Sequence, residues 1–407
     1  MASSTLRSSA PVTAPGDRRP TCAEFSPEFQ LLLACSRLEL ESRSAHEIER
    51  LLGSDLDWSL LLVLANRHRL LPLVHRHLIS NFSDALPPAF RKHLEAEATA
   101  NAARNLQLFA ELRRLVTTLA AHGVCTVPLK GPVLALAVYG DTGLRQFCDL
   151  DLLIRRADLA TASAVVCDLG YRQGLGLGPA ERRVYFANAC EFPLVHPDSG
   201  VLVELQWRFV PRHFSLRLDA ETVWSRIVPA SLGGTEFQTL SPEDLLLVLC
   251  VHGGKHSWER LGWICDVAEL IRAYPVLDWE TIWARAQKLG AARLLALGLF
   301  LAERFLGAPL PERIRHRLAG DRALARLAED VNRKLASPVD EVPTLTDHIF
   351  LARVRERGRD RLAYLLRVVV TPGLNDCAAV RLPATLAPAY HFLRPGRILL
   401  KALQRQG

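Results

Sequence analysis

Apolar residues recur at three- and four-residue steps over positions 27 to 120, as in Ile48-Leu51-Leu52, Trp58-Leu61-Leu62 and Leu70-Leu71-Leu73-Val74. That spacing predicts amphipathic helices. Asn81-Phe82-Ser83-Asp84 and Pro87-Pro88 break the pattern, and a long helix should run from about Pro88 to His122. The rhythm then changes. Val124 to Leu129 and Phe147 to Ile154 read as short strands around a helix at Val133 to Tyr139, and Ala157 to Leu169 as a second helix. Gly170-Tyr171-Arg172 begins another extended segment. Glu191 to His196 and Val201 to Phe209 read as a hairpin about Pro197-Asp198-Ser199-Gly200. Helical spacing returns after Ser241-Pro242-Glu243-Asp244, a capped start, and Asp278 reads as a further cap.

The pattern divides the chain into a disordered tail (1–26), an N-terminal helical domain (27–120), an α/β core (121–238), a C-terminal helical domain (239–370) and an irregular, proline-marked arm (371–407). The expected class is α+β, a small mixed sheet flanked by helical domains. No internal repeat is evident.

The strand at 147–154 carries the most informative chemistry. Asp149 and Asp151 lie two apart, so both side chains point to one face while Leu150, Leu152 and Ile154 point to the other. Like charges held side by side call for a cation, and paired hard oxygens suit Mg²⁺. Upstream, the first strand ends in Lys130-Gly131-Pro132 at a turn into a helix. A glycine there lets backbone N–H groups approach a phosphate, and a lysine supplies a point charge or merely closes the strand end. Arg145 could hold a triphosphate, although pairing with nearby Asp141 is the favoured reading. Glu204 lies among apolar residues on a later strand and needs a partner; the hairpin would place it beside the aspartate strand.

His252-Gly253-Gly254-Lys255-His256 has the spacing of two zinc-binding imidazoles. Gly253-Gly254 should break the helix between them, which argues against zinc. Lys255 and His256 remain candidate nucleotide contacts. Trp258, Leu261, Trp263 and Leu270 read as core, and Asp266 as a carboxylate that could reach a basic partner in the site. No P-loop pattern occurs.

Composition narrows the classes. Lysines number six against a Lys+Arg total of 50, and this arginine-rich, Ala/Leu-rich usage points to a high-GC bacterial gene. The net charge of +7 is spread along the chain and sits partly in its tails, without a Lys/Arg stripe interleaved with aromatics, so nucleic-acid binding is possible but unsupported. The nine cysteines form no Cys-x-x-Cys pair and read as reduced thiols in a cytoplasmic protein. No apolar run is long enough to span a bilayer, so no membrane partner is expected.

The order of strand, glycine turn, helix, Asp-x-Asp strand and later acidic strand resembles the polymerase-β-type nucleotidyltransferase superfamily. The finer pattern resembles an uncharacterised bacterial nucleotidyltransferase-like branch. It comprises Leu129-Lys130-Gly131, Tyr139-Gly140-Asp141, Leu144-Arg145, Asp149-Leu150-Asp151-Leu152, Glu204-Leu205-Gln206-Trp207 and the stretch His252 to Asp266. The resemblance covers roughly residues 30 to 275. Lys130-Gly131 stands where the wider superfamily has Gly-Ser, and Gln206 where relatives often place His. The resemblance implies transfer of a nucleoside monophosphate from an NTP to an acceptor, with release of pyrophosphate. Two Mg²⁺ ions would be held by Asp149, Asp151 and Glu204. Glu204 would also help deprotonate the acceptor, and Lys130, the Gly131 backbone and Lys255 would neutralise the triphosphate. Two alternatives stay open: a non-catalytic nucleotide- or partner-binding accessory protein, and a toxin that modifies tRNA or protein.

Overall fold

The computed structural model describes residues 25–214, 216, 221–339 and 345–404. Residues 1–24 of the expected tail lie outside the described residues. The tail's last two positions do not belong to it: Phe25 stacks on Phe29 with ring centroids 4.5 Å apart, and the Ser26 hydroxyl accepts from the Phe29 N–H.

Helices α1 (Pro27–Cys35), α2 (Ser42–Leu52), α3 (Trp58–Arg67) and α4 (Leu71–Phe82) lead into α5 (Pro88–Ala121). The core follows as β1 (Thr126–Pro128), α6 (Gly131–Leu134), β2 (Asp149–Ile154), α7 (Leu159–Asp168), β3 (Arg172–Gln173), α8 (Pro179–Asn188), β4 (Glu191–Val195) and β5 (Leu202–Gln206). Next come α9 (Glu221–Trp224), β6 (Val228–Leu232) and β7 (Thr235–Thr239). The C-terminal part holds α10 (Pro242–Lys255), α11 (Leu261–Ala273), α12 (Trp279–Leu289), α13 (Ala292–Leu306), α14 (Glu312–Ala319) and α15 (Arg322–Ala336). It closes with α16 (Leu345–Arg353), α17 (Gly358–Val370), α18 (Leu374–Ala379) and α19 (Tyr390–Gln404). The class is α+β.

The main sheet has strand order β1-β2-β5-β4-β3. β2 runs parallel to β5 and antiparallel to β1, and β4 runs antiparallel to β5 and β3. One face is a continuous core. Leu150, Leu152 and Ile154 of β2, with Val203 and Leu205 of β5, pack with Leu108, Leu112, Leu115 and Leu119 of α5 and with Ala162, Val165 and Val166 of α7. Period-2 alternation then turns Asp149, Asp151, Glu204 and Gln206 to the opposite face, toward α10 and α11.

Two expectations fail on local chemistry. The two glycines do not break α10, which runs on to Lys255. A Cβ on Gly253 would lie 2.5 and 2.6 Å from Cε3 and Cη2 of Trp258, and one on Gly298 of α13 would meet Cys250 Sγ at 2.5 Å. The glycines therefore form a slot for a fully buried indole, and that packing outweighs their poor helix propensity of about 1 kcal/mol each. The arm after residue 370 is also not irregular, because its prolines sit where helices accept them. Pro372 and Pro383 precede helical turns, Pro388 lies in a 3₁₀ turn, and only Pro395 lies inside α19.

Candidate functional site

A cavity of about 300 Å³ opens between the polar face of the sheet, the end of α4, and helices α10 and α11. The strand register builds its acidic wall. Asp151 is the cross-strand partner of Glu204, Asp149 of Leu202, and Glu191 at the head of β4 faces Gln206. Carboxylates from three strands thus share one side.

Burial and this crowding perturb them. Glu204 is pushed up to about 8 by its burial and by Glu191, Asp151 and Asp149. Asp149 is raised for the same two reasons, burial and the Asp151 charge, against the pull of Lys130 and Arg69. Asp151 has both oxygens occupied: Lys130 Nζ lies 3.0 Å from Oδ2, and the Gln206 amide donates to Oδ1. Gln206 also donates to Glu204 Oε2 at 3.3 Å. Burial works against the Lys130 ammonium, but Asp151 and Asp149 outweigh it and hold lysine above its ordinary value.

The turn that presents Lys130 depends on Gly131, whose φ of +55° lies in the left-handed region. α6 then continues as a π-helical turn over Ala135–Tyr139. Gly131 lines the cavity with its backbone facing β2; a Cβ there would contact the Asp149 carbonyl at 3.5 Å. The next turn is anchored from α5: Asn105 donates to the carbonyls of Thr142 at 2.6 Å and Arg145 at 2.7 Å.

Arg145 does not pair with Asp141. Asp141 accepts from the Gly143 N–H at 2.7 Å, while Arg145 makes a two-pronged pair with Asp266 of α11 at 2.8 and 2.9 Å. Tyr139 donates to the same Asp266 oxygen at 2.8 Å. Asp266 thus reaches a basic partner across the cavity, and a carboxylate 121 residues away wins because each of its oxygens accepts from one prong of the guanidinium fork.

The opposite wall is imidazole and indole. His252 and His256 project from the end of α10 with ring centroids 4.9 Å apart, and the Trp263 ring lies 5.1 and 5.3 Å from them. Burial, then the Lys130 ammonium, drives His252 well below the usual imidazole value. Burial, then Lys255, drives His256 down to about 3. Neutral His252 can accept from Lys130, and Nζ lies 3.3 Å from its Nδ1. Lys255 and His256 both line the cavity.

Each candidate named from sequence therefore borders this one cavity: Lys130, Gly131, Arg145, Asp149, Asp151, Glu204, Lys255 and His256. Trp263 does as well, half-buried, packed against the core on one side and forming cavity wall on the other; Trp258, Leu261 and Leu270 are fully buried. Sequence reasoning missed Arg69, Glu191, Glu259 and Arg260, which also line it. The hairpin register could have flagged Glu191, since it puts that residue opposite Gln206; Arg69 carries no such signal.

The donor set suits a hard divalent ion, because adjacent carboxylates raised by mutual repulsion are what such an ion relieves. As placed, no three His, Cys, Asp or Glu side chains among the described residues gather closely enough to hold one ion. Lys130 and Gln206 satisfy Asp151 instead.

A family model described as an uncharacterised nucleotidyltransferase matches residues 54–307. Comparison with curated proteins finds no match. Among solved structures, an antigenic nucleotidyltransferase-like protein from Paracoccidioides brasiliensis is similar at 16% identity, over 53% of this chain and 98% of its own, with a TM-score of 0.33.

Proposed function

This chain belongs to the uncharacterised nucleotidyltransferase family, and from that premise we propose that it transfers a nucleoside monophosphate from an NTP to an acceptor. The observation that carries the reading is the facing of Asp151 and Glu204 across the parallel β2–β5 pair, with Asp149 on the same face and Lys130 at hand. An acceptor oxygen or nitrogen attacks the α-phosphorus in line, the bond to the β-phosphate oxygen breaks, and pyrophosphate leaves. Asp149, Asp151 and Glu204 would hold Mg²⁺, which supplies charge neutralisation on the phosphates when bound.

The chain's own groups do the rest. Burial and the neighbouring carboxylates raise Glu204 in the metal-free site, and a cation held there would return it to the ionised form that can take the acceptor's proton. Lys130 moves from Asp151 to the triphosphate charge. The Arg145–Asp266–Tyr139 cluster holds the 140–146 turn beside the phosphates, so Arg145 acts mainly by positioning. Lys255 and neutral His256 contact the nucleotide from the far wall.

The test incubates the protein with each α-labelled NTP, Mg²⁺ and a lysate, and asks which molecules carry label. Transfer by wild type, lost in Asp149→Asn/Asp151→Asn, supports the reading. Equal Mn²⁺ binding by wild type and that variant would sink the metal assignment.

One observation favours a second reading, a nucleotide-binding module without turnover: both Asp151 oxygens are already engaged by Lys130 and Gln206. Thermal stabilisation by NTP with no label transfer to any acceptor would select it.

A further inference from the structure

The C-terminal helices carry a surface that the nucleotide site does not use. Of the 18 large apolar side chains exposed among the described residues, eleven lie between Leu362 and Leu399. On α17, Leu362, Leu365, Leu366 and Val369 follow i, i+3, i+4, i+7 spacing and are 60, 46, 56 and 40% exposed. The buried side of that helix is satisfied separately: Tyr364 is 1% exposed and lies under the Arg355 guanidinium, 3.8 Å from its ring centroid. α19 lies alongside, with His391 Nδ1 donating to the Val370 carbonyl at 2.9 Å. Its inner side sends Arg394 and Arg397 to Asp376 at 2.8 and 2.6 Å. Its outer side projects Phe392 at 85% and Leu399 at 62% exposure. Both helices are thus amphipathic in reverse, polar or packed within and apolar without.

Charge says what covers this face. Residues 358–404 contain seven Lys and Arg against two acids, a net +5 of the whole chain's +7. Both acids have cationic neighbours inside the segment: Asp360 lies 3.7 Å from Arg359, and Asp376 holds two arginines. On the helical wheel of α17, Arg359 and Arg361 flank the leucine stripe on either side. A second copy laid on this face would set arginines against arginines. An anionic partner would meet them, and apolar side chains that stand well clear of their neighbours suit insertion into a fluid acyl boundary.

We propose that α17 and α19 form an interfacial docking surface that seats this protein on an anionic lipid bilayer, Leu and Phe side chains inserted and arginines at the headgroups. Such a surface lies on a bilayer without crossing it. No helix among the described residues is long and apolar enough to cross one, and none need be.

The experiment is co-sedimentation of the full chain with vesicles of phosphatidylcholine alone and with added phosphatidylglycerol. Binding is expected only with phosphatidylglycerol, and should weaken as salt rises. Leu362→Glu/Leu366→Glu and Phe392→Glu should lose binding with little change in melting temperature, since more than half of each side chain is exposed. Arg359→Glu/Arg361→Glu, a second route should the apolar variants misfold, should lose the preference for anionic vesicles. A full chain that stays in the supernatant, or variants that sediment as wild type does, would overturn the proposal. So would a concentration-dependent dimer, or a complex with an acidic protein, that needs the same residues while vesicles fail to bind.

Discussion

Replacing Lys130 with methionine isolates what the lysine does for the acidic wall. Its ammonium lies 3.0 Å from Asp151 Oδ2, and the two side chains are 15% and 4% exposed. At that separation and an effective dielectric constant of about 20, the attraction is roughly 5 kcal/mol. Desolvation of the pair offsets part of it. Removing only the cation, however, leaves a buried carboxylate beside Asp149 and Glu204, at a cost of about 3–5 kcal/mol. A chain of this size loses about 2 °C per kcal/mol, so Lys130→Met should melt roughly 6–10 °C below wild type in EDTA. Mg²⁺ would then bind a site whose repulsion is no longer relieved from within. The ion alone should raise the variant's melting temperature more than the wild type's, by mass action on the folded state, while added NTP should raise it less, because the lysine that meets the triphosphate is gone. Label transfer should meanwhile fall about a hundredfold, the loss of a few kcal/mol of transition-state stabilisation. Differential scanning fluorimetry in EDTA, Mg²⁺, and Mg²⁺ with NTP reads the first two effects without needing an acceptor. An unchanged melting temperature in EDTA would refute the idea that Lys130 holds the acids together. A Mg²⁺ response equal in Lys130→Met, wild type and Asp149→Asn/Asp151→Asn would refute the placement of the ion.

Gly253→Ala drives a methyl into the Trp258 indole; against a helix-propensity gain of about 1 kcal/mol, overpacking of about 1–3 kcal/mol or more should leave a net loss of melting temperature. A variant as stable as wild type would show that the slot is not tight. His68 is fully buried, accepts from the Leu261 N–H at 3.1 Å, and is held down to about 3 by burial and then by Arg67. Below its unfolded value near 6.5 the unfolded chain binds the extra proton, so stability should fall as pH drops from about 6.5 toward 3. His68→Gln should flatten that slope, and an unaltered slope in urea titrations at stepped pH would exclude His68 as its source. Trp263→Ala should weaken nucleotide binding more than it lowers the melting temperature, because the ring is cavity wall; the reverse order, read by calorimetry and thermal melts, would return it to the core.

Local spacing made part of the site legible. The shared face of Asp149 and Asp151 needs only the two-residue repeat of a strand; the turn at 197–200 pairs the strand of Glu204 with β4, whereas its parallel seat beside β2 is set by the tertiary fold. What spacing could not reveal were partners chosen by three-dimensional closeness. Arg145 had Asp141 four residues away in the chain, yet it meets Asp266 from another helix. Gly253-Gly254 looked like a break because propensity is local, while the Trp258 ring that requires them is a packing fact. The same holds for α8 and the β6–β7 hairpin, which no alternation announced, and for the prolines after residue 370, whose meaning depends on where each falls within a helical turn. Trp263 carried the spacing of a core residue and had no signal that set it on a cavity.

The tie between Arg145 and Asp266, with Tyr139 on the same carboxylate, joins the α/β core to α11, and Leu261 N–H to His68 joins α11 to the N-terminal helices. The site thus sits where three stretches of chain, separable by composition, are fastened together. Its consequence is kinetic as well as structural. An excised core of residues 121–238 would hold the acids but neither Asp266 nor His252. Opening any one stretch exposes the buried ends of the other two, so slow hydrogen exchange should spread over β2, α11 and the end of α3 as one unit rather than decay stretch by stretch.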